Sequence, residues 1–189
     1  WQRQIARGVI RLVTHRAKVK HLCERTGFKS VCEYTIFVAP GLPEPVGTFS
    51  PAAQDQVERI LALGSNSPVF EWLGSMYGHG WSWSAPQPKF ITQAIEKQHA
   101  WLWQDGLGAL VIGEDTDDDG RVPYIAWLGC PVEYLPALLL DYRRLAAVLG
   151  YQKASWVASL HPDLQPYLAG AGFKQDWDIA LTLFERMSA

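Results

Sequence analysis

Only a handful of side chains in this sequence stand at spacings that could do chemistry, and each has a plainer reading beside it. Asp115-x-Asp117-x-Asp119-Gly120 imitates the start of a calcium loop, but its twelfth position is Ala126, not a bidentate glutamate. A solvated hairpin turn accounts for it better. Cys23, Cys32 and Cys130 form no Cys-x-x-Cys pair, and no histidine lies near them at zinc spacing. Neither a disulfide framework nor a metal centre is indicated. Trp81/Trp83 and Trp101/Trp103 are paired at i, i+2. Such pairs stack on a planar or sugar substrate, or pave one face of a sheet as core. His79 stands in Gly78-His79-Gly80, a loop that either serves a substrate pocket or faces solvent without a task. His161 before Pro162 reads as a turn residue, and no Ser/His/Asp order stands out.

Charge is unevenly spread. Residues 1–40 hold eight Lys/Arg and two Glu, a net of +6, and the remainder carries −8. That suits a solvated basic face, one part of the chain leaning on the other, or a phosphate-bearing ligand. Nucleic acid ranks lowest, because the basic face lacks interleaved aromatic residues. With 48% hydrophobic and 19% charged residues, the 189-residue chain is neither disordered nor fibrous. No apolar run reaches the length of a membrane span, and no leader pattern is visible, so a cytoplasmic protein with no membrane partner is expected.

The elements that must position these residues follow from periodicity and punctuation. Val9–Thr14 reads as a buried strand, Ala17–Thr26 as a helix ended by Gly27, and Lys29–Ala39 as an aromatic-rich strand. Pro40-Gly41-Leu42-Pro43-Glu44-Pro45 is a stiff linker. The expected organisation is therefore 1–40, a linker at 41–45, and a domain at 46–189. Val46–Phe49 is a candidate first strand. Ser50-Pro51 and Ser67-Pro68 are each expected to open a helix, running to Gly64 and Gly78. A meander follows: Ala100–Gln104, an Asp105-Gly106 turn, Leu107–Gly113, a polar turn at Asp115–Gly120, and Val122–Leu128. A long helix runs from beyond Pro131 to Gly150. Ala154–Ala158 is a strand, Pro162–Ala169 a helix, and Trp177, Ile179, Leu181 and Leu183 alternate in a last strand.

Two stretches repeat one another. Gly8, strand, short helix, Gly27-Phe28-Lys29 and a strand ending near Phe37 match Gly150, strand, short helix, Gly172-Phe173-Lys174 and a strand ending near Phe184. In both, glycine ends the helix in a left-handed conformation and phenylalanine plugs the core where the chain re-enters the sheet. The chain thus reads as one whole copy preceded by the strand-helix-strand end of another, so a tandem pair of domains is expected.

The order strand, helix, helix, meander, long helix, strand, helix, strand resembles the GNAT (GCN5-related) N-acetyltransferase family. The residues carrying the likeness are AKVKHLCERTGF (17–28) with CEYTIF (32–37), and PYLAGAGF (166–173) with 177–184. The resemblance implies an α/β fold with a mixed, mostly antiparallel sheet flanked by helices, plus a partial repeat at the N-terminus. It implies acetyl transfer from acetyl-CoA to the amine of a small molecule or peptide. Such transfer needs a deprotonated amine near the thioester, N–H groups for the oxyanion and an acid for the thiolate. The coenzyme contacts then fall to Trp127, Leu128, Gly129, Cys130 and Val132, between the third meander strand and the long helix. The acid position falls to Cys23 in the first copy, and to Tyr167, one place early, in the second. His79 and Trp81 become acceptor contacts, and a homodimer suits the family. The pyrophosphate loop keeps one glycine, with Pro131 lacking an N–H and Glu133 where an anion would sit. That departure motivates the alternative, a non-catalytic GNAT-like module that stabilises or shapes a catalytic neighbour.

Overall fold

The computed structural model describes residues 9–44, 47–79, 82–84, 87–117 and 120–187. Its strands are β1 (Val9–Thr14), β2 (Lys29–Pro40), β3 (Phe49–Pro51), β4 (Tyr77–His79), β5 (Ser82–Ser84) and β6 (Ala100–Trp103). They continue with β7 (Gly108–Asp117), β8 (Gly120–Gly129), β9 (Lys153–Ser159), β10 (Lys174–Gln175) and β11 (Leu181–Met187). The helices are α1 (Ala17–Arg25), α2 (Val57–Ser65), α3 (Pro68–Trp72), α4 (Pro88–Glu96), α5 (Leu135–Val148) and α6 (Gln165–Gly170).

Among the described residues one sheet runs in the order β1-β11-β2-β9-β8-β7-β6-β3, with β10 also on β2 and a separate β4–β5 ribbon. Every neighbouring pair is antiparallel except β8 and β9. Adjacent residues of a strand point to opposite faces. Leu102 and Trp103 are both buried, as are Trp127 and Leu128 and all of 154–159, so both faces of the central strands are covered. Trp103 is core rather than a stacking platform, and its indole N–H donates to Asp141 on α5 at 2.8 Å. The same carboxylate accepts from Thr48 and from Arg144, so one buried group ties β6, the approach to β3 and α5 together.

β2 does not stand apart from the rest. It lies between β9 and β11, paired to β9 from Tyr34 to Pro40. The proline-rich stretch after it is anchored: Gly41 N–H donates to Gln152 O and Leu42 N–H to Arg143 O. The buried Arg143 guanidinium donates to Pro40 O and Ala171 O at 2.9 and 2.7 Å.

Several local expectations are corrected. Ser50-Pro51 opens no helix; Pro51 pairs with Trp101 in β3, the edge strand, where a missing N–H removes no ladder bond. The helix opens later, through a 3-10 turn at Gln54–Gln56. Ser67-Pro68 does open α3, with Ser67 Oγ accepting from Val69 N–H. That helix stops at Trp72, because Gly74 and Ser75 take positive φ and send Tyr77 into β4. Helix α4 was not anticipated, although Pro88 at its first turn and Ile91, Ala94 and Ile95 at helical spacing signal it. Asp115 and Thr116 lie in β7, paired with Val122 and Arg121, instead of in a turn, and Asp119 lies outside the described residues. The last strand starts at Leu181, leaving Trp177 and Ile179 exposed ahead of it.

Candidate functional site: the wedge between β8 and β9

Parallel strands β8 and β9 are paired at one position, Tyr124 with Ser155. Side chains reinforce this point. Ser155 Oγ donates to Pro123 O at 2.9 Å, and the Tyr142 hydroxyl lies 2.9 Å from Pro123 O and 3.1 Å from Ser155 O. Past the bridge the two strands form no further ladder, and a wedge opens between 125–129 and 156–159.

The wedge is lined by aromatic rings and backbone carbonyls. Tyr77 from β4 donates its hydroxyl to Leu128 O at 2.7 Å, and its ring lies 4.4 Å from that of Trp127. Phe70 of α3 stacks on Tyr77 and meets Trp127 edge-on. Trp127 N–H is taken by Ile60 O on α2. Ser67 Oγ, besides capping α3, reaches Cys130 O at 3.2 Å. Burial raises the Tyr77 phenol far above its ordinary value, so it is a permanent donor here. Gly129 is held against α2 so closely that a side chain there would meet the backbone of Leu63 and Gly64.

At the β9 side, Cys32 Sγ lies 3.1 Å from Ser159 Oγ and 3.4 Å from Trp72 O, and Tyr34 donates to Leu73 O at 2.7 Å. Trp72 stacks with His161 at 5.9 Å and with Tyr167 at 6.0 Å. Burial pushes the Cys32 thiol up, and the Cys130 thiol to about 12, chiefly by desolvation. Neither is a thiolate near neutral pH, which removes both as nucleophiles. The indole N–H of Trp156, one residue past the bridge, is buried and has no partner among the described residues.

No protein-family model matches the chain, and no curated protein matches its sequence. Its structure is similar to a GCN5-related N-acetyltransferase from Sphaerobacter thermophilus, with a TM-score of 0.53 at 12% identity over 96% of this chain and 60% of that one. A GNAT-family acetyltransferase from Colwellia psychrerythraea gives 0.52 at 13% identity, over 94% and 64%. Saccharomyces cerevisiae N-myristoyltransferase with bound myristoyl-CoA gives 0.58 at 10% identity, over 96% and 54%. The fold is that of the GNAT acetyltransferases. At these identities the likeness is one of architecture, and the chain spans 60% and 64% of the length of the first two proteins.

Within the GNAT fold, three of the five residues expected to hold a coenzyme (Trp127, Leu128 and Gly129) run consecutively along the open end of β8, Cys130 comes directly after it, and Val132 follows in a 3-10 turn before α5. Tyr167 lies at the other wall, against Trp72. Cys23 is buried on α1, and no described contact links it to Tyr167. His79 lies in β4, and Trp81 lies outside the described residues. Sequence reasoning missed Tyr77, Phe70 and Trp72. Their aromatic spacing was legible, but only the turn at Gly74-Ser75 swings Tyr77 across to β8.

A coenzyme's pantetheine arm would need amide partners in the wedge. The carbonyls of Leu128 and Cys130 each accept one hydroxyl, and a carbonyl has two lone pairs, so both keep acceptor capacity. The phosphate end is less well provided. Pro131 offers no N–H and Glu133 lies in the first turn. A cavity of about 410 Å³ beside this loop is lined by Arg59, Asn66, Ser67, Cys130 and Pro131, among others. Arg59 is already committed to the carbonyls of Asp105 and Gly106.

Proposed function

We propose that the protein is an acyltransferase that moves an acetyl group from acetyl-CoA to an amine, with the thioester in the β8–β9 wedge. The observation that carries this reading is the single-bridge parallel pair, which leaves acceptor capacity along β8, beside a Trp156 indole N–H that has no partner among the described residues. The amine would attack the thioester carbonyl directly. A tetrahedral oxyanion forms and collapses with cleavage of the C–S bond; the departing sulfur takes a proton from the Tyr167 hydroxyl, and the phenolate left behind is restored by the proton that the attacking nitrogen sheds. The repeated strand-helix-strand units, and matches that take in most of residues 1–40, support a tandem arrangement.

A second reading is favoured by one observation: the Tyr77 hydroxyl takes Leu128 O, and the Tyr77 and Phe70 rings pack on Trp127, so the chain's own rings close on the β8 side of the wedge. A wedge held shut in this way belongs to a non-catalytic module that supports a catalytic neighbour. Calorimetric titration with acetyl-CoA separates the two. Micromolar binding by the wild-type chain, with Tyr167→Phe lowering the rate of transfer and leaving acetyl-CoA affinity unchanged, supports the transferase. No heat at about 1 mM ligand, for the wild type and for Tyr77→Phe alike, supports the module.

A further inference from the structure

A second hollow lies on the face of the sheet opposite Trp156, at the closed end of the wedge. Its floor is two cross-strand pairs, Ile36 with Val157 and Val38 with Ser155, so it straddles the seam between β2 and β9. Val122 and Leu181 continue the apolar wall, and Trp177 stands beside them, 39% exposed. The segment bearing Trp177 is fixed: the buried Thr35 hydroxyl and the Gln175 side chain both donate to Trp177 O, at 2.8 and 2.7 Å, and Asp176 N–H donates to Ile36 O. The hollow measures about 250 Å³, smaller than the pockets that hold drug-sized molecules.

Asp176 and Asp115, from separate elements, stand at the rim of this hollow, and none of the described residues lining it is basic. Asp115 is oriented by accepting Thr116 N–H at 2.8 Å. The neighbouring Tyr124 phenol is raised by burial first and by Asp115 second. An apolar floor, an indole wall and a carboxylate rim select a small apolar body that carries a positive charge, since an ammonium gains from both the carboxylates and the ring face.

We propose that this hollow binds a small primary ammonium compound with an aromatic or branched aliphatic body, through Asp176 and Trp177. Ser155 lines the floor and is also the bridge residue of β8–β9, so the bound amine stands at the base of the wedge. This assigns the hollow as the acceptor seat and, in that role, rests on the acyl-transfer reading; the binding itself does not.

Phenethylamine, 2-phenylethanol and phenylacetate, titrated separately into the whole chain by calorimetry, test the assignment. The amine is expected to bind most tightly, the alcohol more weakly, and the acid not at all. Asp176→Asn and Trp177→Ala each weaken the amine by about 3- to 5-fold and leave the alcohol unchanged for Asp176→Asn. Both positions are exposed, so circular dichroism should show both variants folded. Equal binding of amine and alcohol, an Asp176→Asn affinity equal to wild type, or no amine binding at about 10 mM would overturn the proposal. Amine binding without product when acetyl-CoA is added would reject acyl transfer and leave the ammonium site standing. Product formed with an unchanged KM for the amine in Asp176→Asn would do the reverse.

Discussion

Glu114 shows how a single exposed carboxylate can pin two elements. It accepts from Arg121 across the β7–β8 hairpin and from the Tyr151 hydroxyl ahead of β9. Arg121 in turn lies over the Tyr151 ring. Hydrogen bonds from Arg121 first and Tyr151 second hold the Glu114 carboxyl at about 2, against its ordinary 4.5. A carboxyl lowered in this way contributes stability above its unfolded value and loses it as pH falls through the folded one. The group faces solvent, so the contribution is screened and small. Carboxyl NMR should therefore place the Glu114 midpoint near 2 in the wild type, moving up toward the ordinary range in Arg121→Ala. A wild-type midpoint in the ordinary range would deny the contact. By contrast, a carboxylate at Asp141 has its partners inside the fold, and its loss would strand the buried Trp103 N–H.

The Gly-Phe turns show how far the sequence reaches at the scale of elements. Gly27 and Gly172 both take positive φ, at +83° and +77°, and both end their helices as the repeat requires. Their surroundings differ in a way the sequence does not reveal. A side-chain carbon at Gly27 would find its nearest neighbour 3.8 Å away, whereas one at Gly172 would come within 2.5 Å of the buried Arg143 guanidinium. Gly27→Ala is expected to cost about 1 kcal/mol from the backbone alone. Gly172→Ala should cost about 2 kcal/mol more, because it disturbs the hydrogen bonds from Arg143 to Pro40 and Ala171. Urea unfolding of the two variants checks the difference, and equal losses would refute it. The same division explains which elements were legible. The helix ends at Gly27 and Gly172 and the long α5 follow from local chemistry, and the structure holds them where periodicity puts them, whereas the Asp105-Gly106 turn widens to a four-residue loop at 104–107. Ser50-Pro51 was misread because a proline on an edge strand looks, locally, like one that opens a helix. The helix expected from Ser67-Pro68 to Gly78 takes in Tyr77, because its apolar spacing continues α3 through a turn that only a positive φ at Ser75 completes. At the site, the β8 end was visible as a strand-to-helix junction, but the rings that close on it come from residues 50 or more positions away.

For the molecule as a whole, the decisive feature is where residues 1–40 go. β1 pairs with β11 and β9 pairs with β2, both antiparallel, with β2 and β11 side by side in the middle. Each strand-helix-strand unit therefore completes its pairing with the other unit and not with itself. The proline-rich stretch at 41–45 looks like a boundary in sequence, yet it connects two parts of one sheet. Removing residues 1–40 would leave β9 with an open edge, β11 with no neighbour, and Tyr34, Phe37 and Ala39 missing from the core. We infer that the stretch 46–189 does not fold alone. The expected outcome for that fragment is loss of cooperative urea unfolding and of dispersed amide NMR signals, with both regained when a peptide of residues 9–40 is added in trans. Strand addition of this kind draws its affinity from main-chain bonds and its register from alternate side chains. Here the register is set by Phe37 opposite Trp156 and Ile36 opposite Val157, so a peptide carrying Phe37→Asp should fail to rescue. A fragment that unfolds cooperatively without the peptide would show that the sheet from β9 to β3 is self-sufficient, and that β2 is an addition to it instead of a part of its core.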